Sequence, residues 1–421
     1  MKVLYFHQHF STPKGSTGTR SYEMAKHLIK RGHNVTIVCG SSSVSNTGLT
    51  GTSKHGIRRG VVAGIDVIEI ILPYSNSDRL LKRASAFLRY AFTSIYIACR
   101  EKYDLIFASS TPLTAALPGI VMRVIKPRSP FVFEVRDLWP ELPRAMGMTN
   151  PFVLGGMSIL EKMSYWAMRG GIALSPGIRD GMKRRSPQIT PIELIPNGCD
   201  LVLFQPQICS SNIPNPSMEL PEARLRCIFT GAHGTANGLD AVLDTARVLI
   251  ERGRSDIHFL FIGDGQLKPK LINRKLDENL FNCTFNNLVP KDQLNSIMGQ
   301  VNVGLMTLAN IPAFYYGTSP NKFFDYIASG LPVLNNYPGW LADLISETNC
   351  GVAIPPERAD LFADALETLA DNPDIRRTMG ENGRRLAESR FNRMELADCF
   401  VSFLEQCASG FTSYNPPEEK E

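Results

Sequence analysis

The chain has 421 residues, 43% of them hydrophobic and 20% charged, with 33 glycines and 28 prolines. This composition excludes a disordered, collagen-like or coiled-coil chain, and the length predicts two or three domains whose cores need no disulfide staples. Lys+Arg 45 against Asp+Glu 40 leaves a net charge of +5, too mild to point to nucleic acid but compatible with an anionic substrate or an anionic membrane surface.

Nine scattered cysteines, Cys209 among them, include no C-x-x-C pair. Neither a zinc cluster nor a disulfide framework is expected, and the compartment reads as reducing. The start, MKVLYFHQHF, reads as a strand and not a signal peptide. The most apolar long window, 105–125, is interrupted by Pro112, Pro118 and Arg123 and fails as a membrane span. A cytoplasmic location is expected.

In chain order, 2–6 reads as a buried strand and KGSTG as a polar loop holding Gly15 and Gly18. A helical pattern follows, with Tyr22, Ala25, Leu28 and Ile29 on one face and Gly32 where a C′ glycine would end it. NVTIVCG is the next strand. In the segment 79–96, Arg79, Lys82, Arg83 and Arg89 share an arc of about 120°, opposite Leu80, Leu81, Ala84, Leu88, Ala91, Phe92 and Ile95. Such a helix either lies on anionic lipid or packs on the core with a basic outer face. FVFEV (131–135) is a buried strand with Arg136 and Asp137 at its carboxyl end, where parallel sheets place active groups. Glu134 and Asp137 are candidate contacts for a sugar; the alternative is a salt-bridged strand end.

The segment 200–224, rich in Pro, Ser and Asn, reads as a linker. The opening grammar then returns about 220 residues on: RCIFT as strand, GAHGTANG as glycine loop, a helix ending at Gly253, and IHFLFIGDG as strand. Alternating strands and helices imply parallel sheets. The expected fold is α/β: two Rossmann-like domains, 1–195 and 225–393, facing across a cleft. Residues 394–407 read as a further helix that packs back on the first domain. The tail TSYNPPEEKE is expected to be disordered.

The strongest local signal is TSPNKFFDYIASGLPVLNN. Ser319 suits an N-cap and Pro320 the first helical position. The helix runs through Phe323, Phe324 and Ile327 to Gly330, with Asn321 and Lys322 in its first turn. The helix dipole opposes a cation there, and a bound phosphate reverses that penalty. Asp325, on the same face, can accept from ribose hydroxyls. The alternative is a solvated lysine and a surface aspartate. In GAHGTANG, the backbone at Gly231 and Gly234 can approach a diphosphate, and Asn237 with Asp240 can cap the next helix; an ordinary βα turn is the alternative. His233 reads either as a phosphate contact or as exposed. The N-terminal loop is G-x-x-G, not G-x-G-x-x-G, and no acidic residue closes the second strand, which argues against a dehydrogenase. Arg20, at a helix start, faces the same dipole argument as Lys322 and joins Gly15 and Gly18 as a candidate ligand contact. His7 and His9 share a face, for ligation or for an apolar loop. H-E-x-x-H, D-x-D, G-x-S-x-G and Walker sequences do not occur, so no metal or bound cofactor is expected.

This succession resembles the retaining GT-B glycosyltransferases of family 4 over residues 1–405. The resemblance rests on SPNKFFDYIASGLPV, PNGCD (196–200), FIGDG and VPKDQLNSIMGQVNVGLMTL; DLWP and TSPNKFFDYI resemble a WbuB-like branch associated with bacterial O-antigen and capsule sugars. It implies a metal-independent hexosyl transfer from a nucleotide sugar, UDP-linked and of the N-acetylated amino or deoxyamino type. The implied acceptor is a polyprenyl-diphosphate-linked saccharide at the inner face of the bacterial inner membrane. Asp325 matches the ribose-binding second acid of an E-x7-E motif and Lys322 a phosphate-contacting lysine. Asp137 falls where a sugar-contacting histidine is usual, and Gly15–Gly18 resembles a loop near the donor diphosphate. Two positions depart from the pattern. Gly317 stands where the first acid would be, and Ala232, Thr235 and Asn237 stand where an Arg or Lys would follow the second domain's first strand. Lys322, backbone amides, and Arg136 or Arg179 then carry the diphosphate charge. A GT-B sugar-nucleotide epimerase and a non-catalytic nucleotide-sugar-binding partner are the rival readings.

Overall fold

The computed structural model describes residues 1–42, 45–72, 80–187, 190–206 and 220–410. Arg79, linker residues 207–219 with Cys209, the tail 411–421, and the side chains of Leu80 and Leu81 lie outside the described residues. The chain divides into two compact units. The first comprises Met1–Pro196, Gly317–Ser319 and the segment from Met394; the second comprises Asn197–Tyr316 and Pro320–Arg393.

The first unit is built on β1 (Lys2–Phe6), β2 (Asn34–Gly40), β3 (Ile57–Val62), β4 (Ile65–Ile70), β5 (Leu105–Ser109), β6 (Phe131–Val135), β7 (Gly170–Ala173) and β8 (Ile192–Leu194). They form one sheet in the order β3-β4-β2-β1-β5-β6-β7-β8. All pairs are parallel except β3 on β4. That antiparallel edge strand departs from the purely parallel expectation; the two residues of the Ala63–Gly64 turn, both at positive φ, bring it back on β4 as a tight hairpin.

The second unit carries β9 (Leu225–Thr230), β10 (Ile257–Ile262), β11 (Cys283–Asn286), β12 (Val303–Met306), β13 (Val333–Asn335) and β14 (Gly351–Ala353). Its order is β11-β10-β9-β12-β13-β14, parallel throughout. In each sheet the strand order reverses at the first strand: β1 lies between β2 and β5, and β9 between β10 and β12. The loop leaving β1 and the loop leaving β9 therefore each stand at the switch point of their own sheet, where doubly wound sheets take ligands.

Strands buried on both faces explain the continuous apolar runs. On one side of the first sheet, Phe6, Ile106, Phe133 and Tyr165 share a core with the helices Leu80–Arg100, Leu117–Ile125 and Pro151–Ala167. On the other side, Phe107 meets Tyr5 at 4.6 Å and Phe400 at 5.0 Å. Phe400, Leu404 and Cys407 put the last helix, Arg393–Ser409, into this core.

The helix Leu80–Arg100 departs from its predicted seam. Ala86, Tyr90, Ser94 and Ile97 are buried, while Leu88 and Phe92 are exposed. Tyr90 donates its hydroxyl to the carbonyl of Val38 at 2.8 Å, and the small side chains of its face admit close approach to the sheet. Among the described residues no helix is long and apolar enough to cross a membrane.

Candidate functional site

In the second unit, two glycine turns nest at the carboxyl ends of β9 and β10. Gly231 (φ 135°) follows β9 and Gly263 (φ 158°) follows β10. A Cβ on Gly263 would lie 1.8 Å from the Gly231 carbonyl oxygen, and one on Gly265 would lie 2.5 Å from that of His233. The glycines of GAHG and FIGDG are thus demanded by backbone packed on backbone. His233 N donates to the Asp264 carbonyl at 2.9 Å, and Lys268 Nζ donates to the carbonyls of Gly263 and Asn286, each at 2.9 Å. Lys268, not singled out from sequence, is a structural cation that holds this turn.

His233 corrects both sequence alternatives. It is 0% exposed, its ring lies among Phe229, Phe261 and Phe285, and neither ring nitrogen has a hydrogen-bond partner. Burial pushes its pKa down to about 4, with Lys268 adding to the effect. It is a neutral member of an aromatic core, not an exposed group or an anion contact. Gly234 stands in open space at the start of the short turn Thr235–Asn237. Asn237 does not cap the following helix. That helix, Asp240–Glu251, starts after Leu239 without a side-chain cap, and Asp240 binds Arg274 at 3.0 Å.

The helix Asn321–Ala328 begins after Pro320, without the side-chain cap expected from Ser319. Tyr326 ties it to β9: its hydroxyl accepts from Thr230 N at 3.0 Å and donates to the Ile228 carbonyl at 3.2 Å. Its ring fits because Gly304 has no side chain; a Cβ there would lie 2.3 Å from the ring. This docking aims the first turn at the glycine loop. Lys322 Nζ donates to Asn237 Oδ1 at 2.8 Å and sits 4.0 Å from the Phe229 ring centroid, a cation–π geometry. An added Cβ on Gly231 would lie 3.7 Å from that ammonium. Burial pushes the Lys322 pKa down to about 7, although part of the side chain keeps solvent contact. Asn321 is half-buried at the first helical position. The ammonium, the loop and the first-turn amides, which lack helical partners, form one anion-ready surface.

Asp325 does not stand on that surface. It is 5% exposed, and its Oδ1 pairs with Lys291 Nζ at 3.1 Å, both side chains being buried. The expected ribose contact is corrected accordingly: the apolar packing of Phe323, Phe324 and Ile327 turns the carboxylate inward to Lys291.

In the first unit, polar groups gather at the carboxyl ends of β1, β5 and β6. Arg20 is buried; its Nε donates to Glu134 Oε2 at 2.9 Å, Nη1 to the Pro196 carbonyl at 2.7 Å and Nη2 to the Ile195 carbonyl at 2.9 Å. Ser109 donates to Glu134 Oε1 at 2.7 Å. Burial pushes the Glu134 pKa up, but the guanidiniums of Arg20 and Arg136 and these hydrogen bonds outweigh it and hold it below the usual range. Both residues depart from their expected ligand roles: Glu134 has its two oxygens taken, and Arg20 spends its donors on Glu134 and the chain leaving β8. Gly15 is likewise structural, since a Cβ would lie 2.2 Å from Ser11 Oγ; Gly18 is half-exposed in the same loop.

Asp137 remains half-buried beyond β6. Thr111 donates to its Oδ2 at 3.1 Å, and burial raises its pKa against the opposing charge of Arg136. Arg136 donates to His7 Nε2 at 3.4 Å, and His7 Nδ1 lies 2.8 Å from Ser21 Oγ. A guanidinium only donates, so the proton of His7 sits on Nδ1 and goes to Ser21. Burial, then Arg136, keeps His7 neutral, and burial takes His9 down to about 4. The His7–Ser21 pair was invisible in sequence because it joins two elements across the glycine loop.

Two family models match the chain, one in each half: "Glycosyl transferase 4-like domain" over residues 15–198 and "Glycosyl transferases group 1" over residues 224–372. Together with the two parallel-sheet α/β units, they define the class: a GT-B glycosyltransferase fold. Among curated relatives, the chain is 25% identical over 175 residues to "Alpha-D-kanosaminyltransferase" of Streptomyces kanamyceticus, covering 41% of this chain and 43% of that one. It is 23% identical over 176 residues to "O-antigen chain mannosyltransferase C" of Escherichia coli, covering 42% and 45%. The chain thus spans less than half the length of these relatives. The Anabaena protein HepE, solved in complex with UDP and glucose, superposes with a TM-score of 0.67 at 15% identity, over 96% of this chain and 100% of that one.

Proposed function

We propose that the chain is a retaining, metal-independent hexosyltransferase that uses a UDP-sugar of the N-acetylated amino or deoxyamino type. The carrying observation is the Lys322 ammonium at a helix start beside the Gly231 loop, 2.8 Å from Asn237. In the proposed reaction an acceptor hydroxyl oxygen forms the bond to the anomeric carbon while the bond from that carbon to the β-phosphate oxygen breaks. The electron pair and the acceptor's proton both pass to the leaving phosphate, on the same face of the sugar. Lys322 and the first-turn amides stabilise the charge that develops there, as preorganised electrostatics. Asp137, with its raised pKa, contacts the sugar.

The group 1 match over the second unit and the UDP held by HepE support the donor class. The name of the Escherichia coli relative supports an acceptor in O-antigen assembly; the polyprenyl-diphosphate-linked saccharide at the inner face of the inner membrane is what the family resemblance implies. The basic segment 79–96 serves the anionic surface that carries this acceptor. The test is transfer from UDP-sugars to a synthetic prenyl-diphosphate saccharide, with the product's anomeric configuration read by NMR. Retained configuration with EDTA present supports the proposal; inversion or a metal requirement contradicts it.

A further inference from the structure

The helix Pro151–Ala167 is well specified at its start. Asn150 Oδ1 accepts from Phe152 N at 3.0 Å and Val153 N at 3.2 Å, and Pro151 takes the first helical position. Unlike an ordinary surface helix it is apolar on both faces. The inward face buries Leu154, Tyr165 and Ala167 together with Glu161 and Ser164, with Glu161 held by Arg185 at 2.7 Å. The outward face presents Phe152 (89% exposed), Ile159 (62%), Met163 and Trp166 (57%). At about 100° per residue these four share one stripe.

This helix packs beside Leu117–Ile125, which packs beside Leu80–Arg100, all on the same side of the first sheet. Phe92 and Tyr96 extend the apolar surface across the last of these. Ten of the eighteen large apolar residues found exposed among the described residues belong to these three helices. Clustering of that kind marks an interaction surface.

Charge selects the occupant. The segments 82–102, 117–128 and 150–169 hold ten Lys and Arg against two Asp and Glu. Their net charge is +8 in a chain whose total is +5, so the rest of the molecule is net negative. A second copy would bring like charge against like charge. An anionic bilayer offers both an apolar boundary and negative headgroups.

We propose that this three-helix face docks on an anionic phospholipid bilayer, with Phe152, Ile159, Met163 and Trp166 seated at the headgroup–acyl boundary and the basic residues on the headgroups. The proposal deepens the membrane-side acceptor of the proposed function and rests on that reading only for its purpose. It moves the principal apolar contact from the helix Leu80–Arg100 to the helix Pro151–Ala167.

The test is sedimentation of the full chain with phosphatidylglycerol-containing vesicles and with phosphatidylcholine vesicles, for wild type and for Phe152→Ser/Ile159→Ser/Trp166→Ser. Wild type pellets with the anionic vesicles and not with the neutral ones. The triple variant binds at least about tenfold more weakly, while its melting temperature and its UDP affinity stay at the wild-type value. Trp emission shifts to the blue on adding anionic vesicles in wild type and not in Trp166→Phe. Unchanged sedimentation of the triple variant overturns the proposal, as does equal binding to neutral vesicles. A concentration-dependent dimer that the same substitutions dissolve, without vesicle binding, also overturns it. Absence of UDP binding would instead strike the donor reading and leave the vesicle result standing.

Discussion

Lys322 Nζ donates to Asn237 Oδ1 at 2.8 Å, so the helix that opens after Pro320 and the loop that leaves β9 meet at one ammonium group. That group sits over the Phe229 ring at 4.0 Å, and burial takes its pKa from the ordinary lysine value down to about 7. An unliganded protein therefore carries a charge that its surroundings disfavour, and an arriving diphosphate removes the penalty.

Replacing Lys322 by Met separates stability from binding. Because the folded pKa is depressed, the unfolded chain binds the extra proton between about pH 7 and the ordinary lysine range, and stability rises with pH across that window. Below about pH 7 the penalty is fully present. The substitution is expected to raise the melting temperature at pH 7 by about 2–4 °C, by less as pH approaches 10, and to abolish stabilisation by UDP. Differential scanning fluorimetry with and without UDP measures both effects.

Glu134→Gln tests whether the buried acid is structural. It leaves Arg20 buried without its carboxylate, 2.8 Å away in the intact pair, and is expected to cost about 3–5 kcal/mol. The loss appears as a lower midpoint in urea. If Glu134 were a sugar contact, stability would hold and turnover alone would fall.

His233→Phe fills a cage of three phenylalanines and removes two unpartnered ring nitrogens. Stability is expected to stay level or to rise by about 1–2 kcal/mol, with UDP affinity unchanged. Loss of UDP affinity in a calorimetric titration would restore His233 as a phosphate contact.

Lys291→Met strands the Asp325 carboxylate, which is 3.1 Å from Lys291 Nζ in the intact chain. The expected loss is about 3–5 kcal/mol, and Lys291→Met/Asp325→Leu is expected to recover most of it. A double-mutant cycle in urea reads the coupling.

The parts of the fold legible in sequence were those written in local pattern. Gly32 and Gly253 lie at φ 82° and 74° just past the helices they were expected to end, and the apolar runs at 2–6, 131–135 and 257–262 are strands of parallel sheets. Lys322 stands out in sequence because a cation in a first helical turn is locally unfavourable, and its place beside the Gly231 loop is what the binding experiments put to the test. What local pattern could not give was partner choice across the sheet. Arg20 and Glu134 are 114 residues apart, Lys322 and Asn237 are 85 apart, and Asp325 turns inward to Lys291. A carboxylate at a strand end reads the same in sequence whether it meets a sugar or a guanidinium. The outward stripe of Pro151–Ala167 is hidden in sequence for the opposite reason: an apolar face suggests a core, and only exposure shows that this one faces out.

The central claim is that a half-buried, protonatable lysine captures the donor's diphosphate. Isothermal titration of UDP between pH 7 and 8, above the titration of its terminal phosphate near 6 and below that of its uracil ring, tests it most directly. With Lys322 losing its proton above about pH 7, the dissociation constant of wild type is predicted to rise by up to about tenfold per pH unit, and Lys322→Met is predicted to bind weakly at every pH. A pH-independent constant shared by wild type and Lys322→Met would contradict the account.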